Sequence, residues 1–304
     1  MNLGDRRVLV TGASGFIGRH TLRGLRARGF EVHAVARAGS VQEAEGCSWH
    51  RADLLDPGQR GALLDETAPS HLLHLAWYAV PGKFWSAREN QDWHRASQDL
   101  LARFRARGGH RFVGAGTCAE YDWTKEGVRH ESEVANPATE YGRTKSAFRQ
   151  DVEDSGGSQA WGRVFFPFGP HEPLQRLIPT IINSLLATRP VPLSHGNQVR
   201  DFLFVEDLGD AFAALLDSPA QGPVNLASGN GHRIREIAEF IQVRLGGELE
   251  FGARTASIPE PGSLVASVER LNREIGWHPG TDLFQGLELT IAWWKRERIR
   301  ATGS

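Results

Sequence analysis

The amino-acid sequence predicts an α/β protein built on a doubly wound parallel sheet, with a smaller C-terminal lobe. First, a glycine-rich turn from Gly12 to Gly18 joins a short apolar run to a helical segment. Second, short apolar runs alternate with longer amphipathic segments through the first half of the chain, which is typical of parallel β-α-β units. Third, prolines and glycines become frequent after about residue 165, so a second sheet of this kind is not expected there.

Each element is predicted from the spacing of its apolar residues. In the first half we predict strands at residues 6–11, 31–36, 48–51, 71–75, 111–115 and 159–164. Between them we predict helices at residues 15–28, 56–66, 87–107 and 141–155. Later in the chain we predict helices at 176–188, 205–217, 234–245 and 283–298, and strands at 200–204 and 223–226. In such sheets the helices cover both faces, and ligands bind beyond the carboxyl ends of the strands.

The change in composition also predicts how the chain is divided. A chain of 304 residues is long enough for one large unit or for two lobes. We expect a dinucleotide-binding unit over residues 1–165, to which the chain returns around residues 199–226. Residues 166–198 and 227–304 would form a substrate-binding lobe that closes over the ligand.

Composition and charge narrow the class of partner. The net charge is −1, so no general attraction to nucleic acid or to anionic membranes is expected. The sequence has no run of about 18 apolar residues and no charged-then-apolar leader, and its two cysteines, Cys47 and Cys118, lack metal-ligand spacing. These features predict a cytoplasmic protein without a metal site or a disulfide framework.

The glycine turn indicates a nucleotide site. Its first glycine permits the tight turn, its second lets backbone approach a pyrophosphate, and its third lets the helix pack close to the strand. The helix N-terminus offers backbone N–H groups and a positive dipole end to phosphates. The cofactor-binding residues expected here are Gly12, Ser14, Gly15, Phe16, Ile17 and Gly18. The alternative is an ordinary glycine turn.

A tyrosine and a lysine four residues apart form a candidate acid–base pair. Tyr141 and Lys145 lie in a predicted helix, so both side chains point from one face. A nearby ammonium lowers the pKa of a phenol, which then exchanges a proton near neutral pH. Thr117 lies just beyond a predicted strand, where a hydroxyl can hold a reacting oxygen. The residues alone leave two alternatives open: a solvated Tyr–Lys pair and a threonine that only caps a turn.

Further motifs extend this pattern over nearly the whole chain. They are Thr11 to Gly18, Asp53-Leu54, His74-Leu75-Ala76, Thr117 four residues before Tyr121, Tyr141 with Lys145, Arg163 with Gly169-Pro170, Gly196 to Asp207, Gly276 to Pro279, and Thr290 to Trp294. With these motifs the chain resembles the extended short-chain dehydrogenases/reductases of the nucleotide-sugar epimerase/dehydratase type. The resemblance implies a Rossmann-like sheet with a smaller C-terminal substrate-binding lobe, a nicotinamide cofactor and a nucleotide-linked sugar as substrate.

The resemblance also implies a role for each catalytic residue. Tyr141 would be the general acid/base, and Lys145 would lower its pKa and hold the nicotinamide ribose. Thr117 would hydrogen-bond the substrate oxygen, and Arg200 would contact a substrate phosphate, which suits a bidentate guanidinium. Arg200 could instead only pair with a neighbouring aspartate. The resemblance further implies a homodimer formed through the predicted helices 87–107 and 141–155.

Cofactor contacts beyond the glycine turn follow from the same resemblance. They would come from Asp53, Leu54, Leu75 and Ala76, together with Tyr141 and Lys145. The second predicted strand ends at Arg37 without the acidic residue that binds the ribose 2′-hydroxyl of NAD. Because Arg37 can meet a 2′-phosphate, we favour NADP over NAD. The alternative is that Arg37 stacks on the adenine of either cofactor.

Several positions depart from the family pattern. Ala119 replaces the glutamate that 4,6-dehydratases carry, so elimination is disfavoured, and Cys118 is interpreted as a packed small residue. Phe166 replaces an asparagine and is expected at the substrate. A late Arg-Pro-Gly-Asp motif of the family corresponds here to residues 260–263, where Glu260 takes the place of the arginine and Ser263 that of the aspartate. Arg233 or Arg254 would have to take over the role of the missing arginine. His171, where the second lobe begins, is a candidate sugar contact or a structural residue.

These observations predict an oxidoreductase that acts on a nucleotide-linked sugar. The favoured reaction is 4-ketoreduction of a deoxysugar, with Tyr141 as the proton donor and NADPH as the hydride source. A rival is C4 epimerisation with a retained NAD. A rival of another class is a non-catalytic dinucleotide sensor, although a sensor has no need of Thr117, Tyr141 and Lys145 together.

Overall fold

The protein is described by a computed structural model over residues 6–37, 46–125, 127–254 and 261–302. Its strands there are β1 Arg7–Thr11, β2 Glu31–Ala36, β3 Ser48–Arg51, β4 His71–His74, β5 Arg111–Thr117, β6 Val128–Arg129, β7 Ser158–Val164, β8 Phe166–Phe168, β9 Val191–Leu193, β10 Val199–Phe204, β11 Gly222–Leu226, β12 Gly231–Arg233, β13 Leu249–Phe251 and β14 Ser263–Ala266. Its helices are α1 Gly18–Ala27, α2 Pro57–Thr67, α3 Glu89–Ala106, α4 Glu140–Asp154, α5 Leu177–Leu186, α6 Val205–Asp217, α7 Ile234–Leu245, α8 Glu269–Glu274 and α9 Leu283–Thr302. A 3-10 turn at Cys118–Glu120 follows β5.

Seven strands among the described residues form the main sheet. Their order is β11-β7-β5-β4-β1-β2-β3, and every neighbouring pair is parallel. Successive side chains of a strand point to opposite faces. Val8 and Val10 therefore pack with α1 and α6 on one face, whereas Leu9 packs with α2, α3 and α4 on the other. The predicted α/β fold, with its doubly wound parallel sheet, is confirmed.

Most elements of the first half lie within a few residues of their predicted bounds. Polar caps fix two helix starts: Asp56 accepts hydrogen bonds from the backbone of Gly58 and Gln59, and Thr139 accepts one from Gly142. Strand β5 runs two residues beyond its predicted end at residue 115, so that Thr117 is its last residue. The strand therefore carries this hydroxyl directly to the carboxyl edge of the sheet.

The second half contributes a separate apolar cluster. Helices α5, α7 and α9 pack together around β9 and around Phe202 and Phe204 of β10. β10 lies in a second sheet of order β12-β10-β14-β6, in which β8 also pairs with β10. The chain returns to the main sheet through α6, which packs on α1, and through β11. The division into two lobes at the predicted boundaries stays a prediction.

The order of the main sheet places its switch point beside β1. From β1 the chain builds outward through β2 and β3, then crosses to β4 on the other side of β1. Connections leave in opposite directions there, which opens a crevice beyond the carboxyl ends of β1 and β4. The glycine turn follows β1, so it faces that crevice.

Candidate active site

A cavity of about 710 Å³ opens at the carboxyl edge of the main sheet. Its lining includes nearly all the residues singled out in the sequence: Gly12, Ser14, Gly15, Phe16, Ile17, Gly18, Arg37, Leu54, Leu75, Ala76, Thr117, Tyr141, Lys145, Phe166 and Arg200. Most of these residues come from the carboxyl ends of β1 to β5 and from α4, whereas Phe166 belongs to β8 and Arg200 to β10. The fold therefore gathers residues that are far apart in sequence around one space.

Two glycines of the turn at this cavity, Gly12 and Gly18, leave no room for a side chain. Gly12 has a φ of 69°, and a Cβ there would lie 2.8 Å from the backbone nitrogen of Ala76. A Cβ on Gly18 would lie 2.1 Å from the carbonyl oxygen of Gly12. Within the described residues, no side chain caps the start of α1. Backbone N–H groups at this helix end can therefore serve an anionic ligand, and the turn fits the pyrophosphate of a dinucleotide.

The cofactor-side wall continues along the strand ends. Arg37 directly follows β2 and lines the cavity with Leu54, as do Leu75 and Ala76 after β4. Asp53 does not line the cavity. It is exposed, and its Oδ1 accepts a hydrogen bond from the backbone of Leu55 at 3.0 Å. Asp53 thus shapes the loop before α2 in this structure.

Helix α4 is held against the turn that carries Thr117. A Cβ on Gly142 would lie 2.3 Å from the carbonyl oxygen of Ala119, so only glycine allows this approach. Tyr141 and Lys145 lie one turn apart on α4 and line the cavity with Thr117. The Thr117 hydroxyl lies close enough to the Tyr141 phenol to lower its pKa. The phenol, the ammonium and the hydroxyl are therefore gathered in one place.

Burial sets the charge state of this group. It raises the pKa of Tyr141 above its usual value, and this outweighs the Thr117 hydroxyl and the positive charge of Arg176, which lower it. The phenol is thus a neutral proton donor. Burial also lowers the pKa of Lys145 to about 7, opposed by the negative charge of Glu120. The expected lowering of the Tyr141 pKa by Lys145 is not found: burial raises this pKa above its usual value, and the groups that lower it are Thr117 and Arg176.

A buried carboxylate beneath the site was missed in the sequence. Glu120 accepts hydrogen bonds from the Thr117 backbone at 2.8 Å, from Trp161 Nε1 at 2.9 Å and from Arg163 Nε at 3.0 Å. It is fully buried and forms an ion pair with Arg163. Thr117 and Glu120 form a capping box, so the Thr-x-x-Glu spacing was the available signal.

An aromatic wall, formed by Phe84, Trp85 and Trp123, lies beside Tyr141 at the cavity. The Tyr141 ring centre lies 4.9 Å from that of Phe84 and 6.0 Å from that of Trp85. Trp123 packs edge-on against Trp85 at 5.8 Å. All three line the cavity. The nine tryptophans of the chain gave no spacing from which this wall could be predicted.

The residues expected to contact substrate divide into two groups. Phe166 and Arg200 line the cavity, and Arg200 donates to the carbonyl oxygens of Val199 and Pro261, each at 2.9 Å. His171 lies outside the lining: it is exposed, has a φ of 67°, and packs on Trp293 at 4.7 Å. In this structure His171 therefore lies at the surface, where its ring packs a turn against α9.

A further arginine at the cavity was not singled out in the sequence. Arg176 lines it, contacts the ring of Phe16 at 5.9 Å, and pairs with the buried Glu172 at 2.9 Å. Arg233 and Arg254, considered as substitutes for the missing motif arginine, are exposed and lie outside the lining. Cys118 is buried and lines the cavity, whereas Glu260 lies outside the described residues.

Groups of metal ligands and membrane-spanning helices are both absent from residues 6–37, 46–125, 127–254 and 261–302. There, no group of His, Cys, Asp and Glu side chains is arranged to hold a metal ion. In the same ranges, no helix combines the length and apolar character needed to cross a bilayer.

Comparisons with known proteins agree with this geometry. UDP-glucose 4-epimerase of Rhizobium meliloti (strain 1021) is 26% identical over 96% of this chain and 98% of that protein. GDP-6-deoxy-D-mannose reductase of Pseudomonas aeruginosa is 29% identical over 97% of this chain and 99% of that protein. The crystal structure of UDP-glucose 4-epimerase from Thermus thermophilus in complex with NAD superposes with a TM-score of 0.85 at 25% identity, covering 95% of this chain and 99% of that one.

A family model places the chain more directly. The model for the NAD dependent epimerase/dehydratase family matches residues 8–227, which include the glycine turn, Thr117, Tyr141, Lys145 and Arg200. The predicted resemblance is confirmed, and with it the expectation of an enzyme rather than a sensor. The chain belongs to the NAD-dependent epimerase/dehydratase family and is an enzyme of that class.

Proposed function

We propose that this enzyme reduces the 4-keto group of a nucleotide-linked deoxysugar, with NADPH as the hydride source. The observation that carries this proposal is that Thr117, Tyr141 and Lys145 line the same cavity as the glycine turn. A dinucleotide on the turn and a sugar at the phenol would therefore share one enclosed space. Arg200, at the same cavity, would hold a substrate phosphate.

The side chains support the direction of reaction. A bound dihydronicotinamide would supply the hydride to the carbonyl carbon. Tyr141 would donate its phenolic proton to the carbonyl oxygen, and the Thr117 hydroxyl would hold that oxygen in place. Burial keeps the Tyr141 pKa high, and a neutral phenol is the form that a reduction requires. Lys145 would hold the nicotinamide ribose through its Nζ, and its ammonium would stabilise the phenolate left on Tyr141 after proton transfer.

Cofactor choice is proposed from the end of β2. Arg37 lines the cavity directly after that strand, where a carboxylate would bind the ribose hydroxyls of NAD. A guanidinium there can pair with a 2′-phosphate. NADPH suits a reductase, because it binds anew for each turnover and leaves as NADP⁺ once the hydride has been transferred.

Dehydration is not proposed, because Ala119 cannot move a proton. Epimerisation at C4 is the second candidate, and the prevalence of UDP-glucose 4-epimerases among the relatives favours it. In that reaction Tyr141 would first accept a proton and then return it. GDP-6-deoxy-D-mannose reductase, at 29% identity, supports the reductase.

One experiment separates the two candidates. The purified protein is incubated with NADPH or NADH and with a panel of nucleotide-linked 4-keto-6-deoxyhexoses, and the loss of reduced cofactor is followed. A reductase consumes one reduced cofactor for each sugar, with NADPH preferred. An epimerase instead purifies with NAD bound, consumes none, and interconverts UDP-glucose with its C4 epimer. Failure of both reactions on a broad panel would reject the proposal.

The homodimer is proposed on the family resemblance. Helices α3 and α4 pack on each other at one face of the main sheet, and they would also face the second copy. Light scattering of the purified protein tests this, because a monomeric mass would contradict it.

A further inference from the structure

The environment of Lys145 is unusual for a lysine that takes part in a reaction. Its side chain is buried, and its Nζ donates a hydrogen bond to the carbonyl oxygen of Ala115 at 2.9 Å. The same Nζ lies 3.8 Å from the centre of the Trp77 ring and 5.9 Å from that of Trp161. A cation over an indole face at 3.8 Å is attracted by the ring quadrupole, and more strongly when water is excluded.

A hydrogen bond and a ring contact hold the Trp77 side chain in place. Trp77 follows β4 by three residues, and its Nε1 donates a hydrogen bond to Asn90 Oδ1 at 2.9 Å. Asn90 is fully buried, and its Nδ2 donates to the carbonyl oxygens of Phe84 at 2.7 Å and Ala87 at 2.9 Å. The ring itself packs on Phe148 of α4 at 6.1 Å. The contact with Lys145 is therefore built into the fold.

We propose that Trp77 is a positioning residue that keeps Lys145 in its ammonium form and directs it into the cavity. An ammonium group has three donors. Ala115 takes one and the Trp77 face attracts another, so the third is directed to a ligand in the cavity that Lys145 lines. This inference rests on the proposed function, because it assigns that third donor to the ribose of a nicotinamide cofactor.

Other charges near Lys145 do not replace this contact. The titratable and charged groups facing it are Glu120 of the 3-10 turn with its partner Arg163 of β7, His74 of β4, and Tyr141 of α4. Glu120 favours the ammonium, but Arg163 neutralises part of its charge. Burial lowers the pKa of His74 to about 3, so this ring is neutral. Trp77 thus supplies a second stabilisation that does not titrate.

The sign of the effect follows from the charge state. Burial lowers the pKa of Lys145 to about 7, so the ammonium is lost as the pH rises through neutrality. Removal of the indole face lowers this pKa further, because the charged form loses a favourable contact and the neutral form does not. Cofactor affinity would then fall at a lower pH than in the parent enzyme.

The test measures the binding of NADPH and of NADH by isothermal titration calorimetry between about pH 6 and about pH 9. In Trp77→Leu, the midpoint of the affinity loss should move down by about one pH unit. Trp77→Phe keeps an aromatic ring that attracts a cation less strongly, so its midpoint should lie between those of the parent and of Trp77→Leu. Trp93→Leu is the matched control, because Trp93 lines the same cavity and packs against the same apolar cluster. Trp93→Leu should change the cofactor affinity by the same factor at every pH, so that the midpoint does not move.

The outcomes separate the two levels of proposal. If Trp77→Leu and Trp77→Phe keep the parent midpoint, the role of Trp77 is overturned while the proposed function stands. If the parent enzyme binds neither reduced nor oxidised nicotinamide dinucleotides, the proposed function fails. If thermal unfolding shows that Trp77→Leu does not fold, Trp77→Phe alone provides the test. A downward shift of its midpoint by about half a pH unit supports the role of Trp77, and an unchanged midpoint overturns it.

Discussion

The two walls of the cavity are built in different ways. The cofactor-side wall consists of strand ends and a turn in which Gly12 and Gly18 leave no room for a side chain. In the aromatic wall, Phe84 and Trp85 lie on the segment between β4 and α3, and Trp123 lies on the loop before β6. The carbonyl oxygen of Trp85 also accepts a hydrogen bond from the Tyr141 backbone at 3.1 Å. The first wall is specified by backbone geometry, and the second by large side chains on loops. From this difference we expect the first wall to bind the dinucleotide and the second to contact the substrate.

The largest effect is expected where the two walls meet. Tyr141→Phe removes the proton donor but keeps the ring that packs on Phe84 and Trp85, so turnover should fall by about 10³-fold. Cofactor affinity should stay within about twofold of the parent, because the glycine turn is untouched. Steady-state turnover and calorimetric binding measure the two effects.

Tyr78→Phe is the control for this change, because Tyr78 is partly buried and lies outside the cavity lining. It should keep full turnover. A Tyr141→Phe variant with more than about a tenth of parental turnover would contradict proton donation by this phenol, since acid catalysis contributes at least about 10²-fold.

The next largest effect is expected at Glu120, which accepts a hydrogen bond from the Thr117 backbone and pairs with Arg163. Glu120→Gln keeps an acceptor for the Thr117 backbone but leaves the buried Arg163 without its counter-charge, which should reduce the free energy of unfolding by about 3 kcal/mol. Denaturant unfolding measures this. Glu269→Gln breaks an exposed pair with Arg273 and should change it by less than about 0.5 kcal/mol. Equal effects of the two variants would contradict the structural role of Glu120.

A methyl group on the turn tests the cofactor-side wall alone. In Gly18→Ala the new Cβ would lie 2.1 Å from the Gly12 carbonyl oxygen, so the start of α1 must move. Overpacking of this kind costs about 1–3 kcal/mol, and we expect dinucleotide affinity to fall about tenfold or more. Gly280→Ala is the control, because its nearest neighbour lies at an ordinary 3.6 Å. Unchanged dinucleotide affinity in Gly18→Ala would show that α1 does not hold the phosphates.

The contrast between the walls explains what the sequence could predict. The strand, turn and helix around Gly12 were predictable because their backbone geometry demands particular residues at particular spacings. Tyr141 and Lys145 were predictable as neighbours, since four residues make about one helical turn. The direction of the Tyr141 pKa was not, because burial depends on side chains that come from distant parts of the chain.

The contacts of loop residues could not be predicted from the sequence for a related reason. Asp53 matches a family motif, but the motif does not specify where the loop after β3 directs its carboxylate. Arg176 reaches the cavity through a turn stabilised by Glu172, and its position depends on β8 and α5 together. His171 was a candidate sugar contact, with a structural role as the alternative, because it lies where the second lobe was predicted to begin. The left-handed turn instead places its ring on Trp293.

The smallest expected effect tests whether the aromatic wall serves the substrate alone. Trp85→Leu removes ring area beside the catalytic phenol, while Phe84 still supports the Tyr141 ring at 4.9 Å. Lost aromatic contact is worth about 0.5–1.5 kcal/mol, so KM for the sugar should rise about threefold to tenfold, with a smaller change in kcat. Dinucleotide affinity should not change, and Trp49→Leu, on β3 outside the cavity, should alter neither constant. A parallel loss of dinucleotide affinity in Trp85→Leu would mean that the two walls act as one, and that the aromatic residues order the whole cavity.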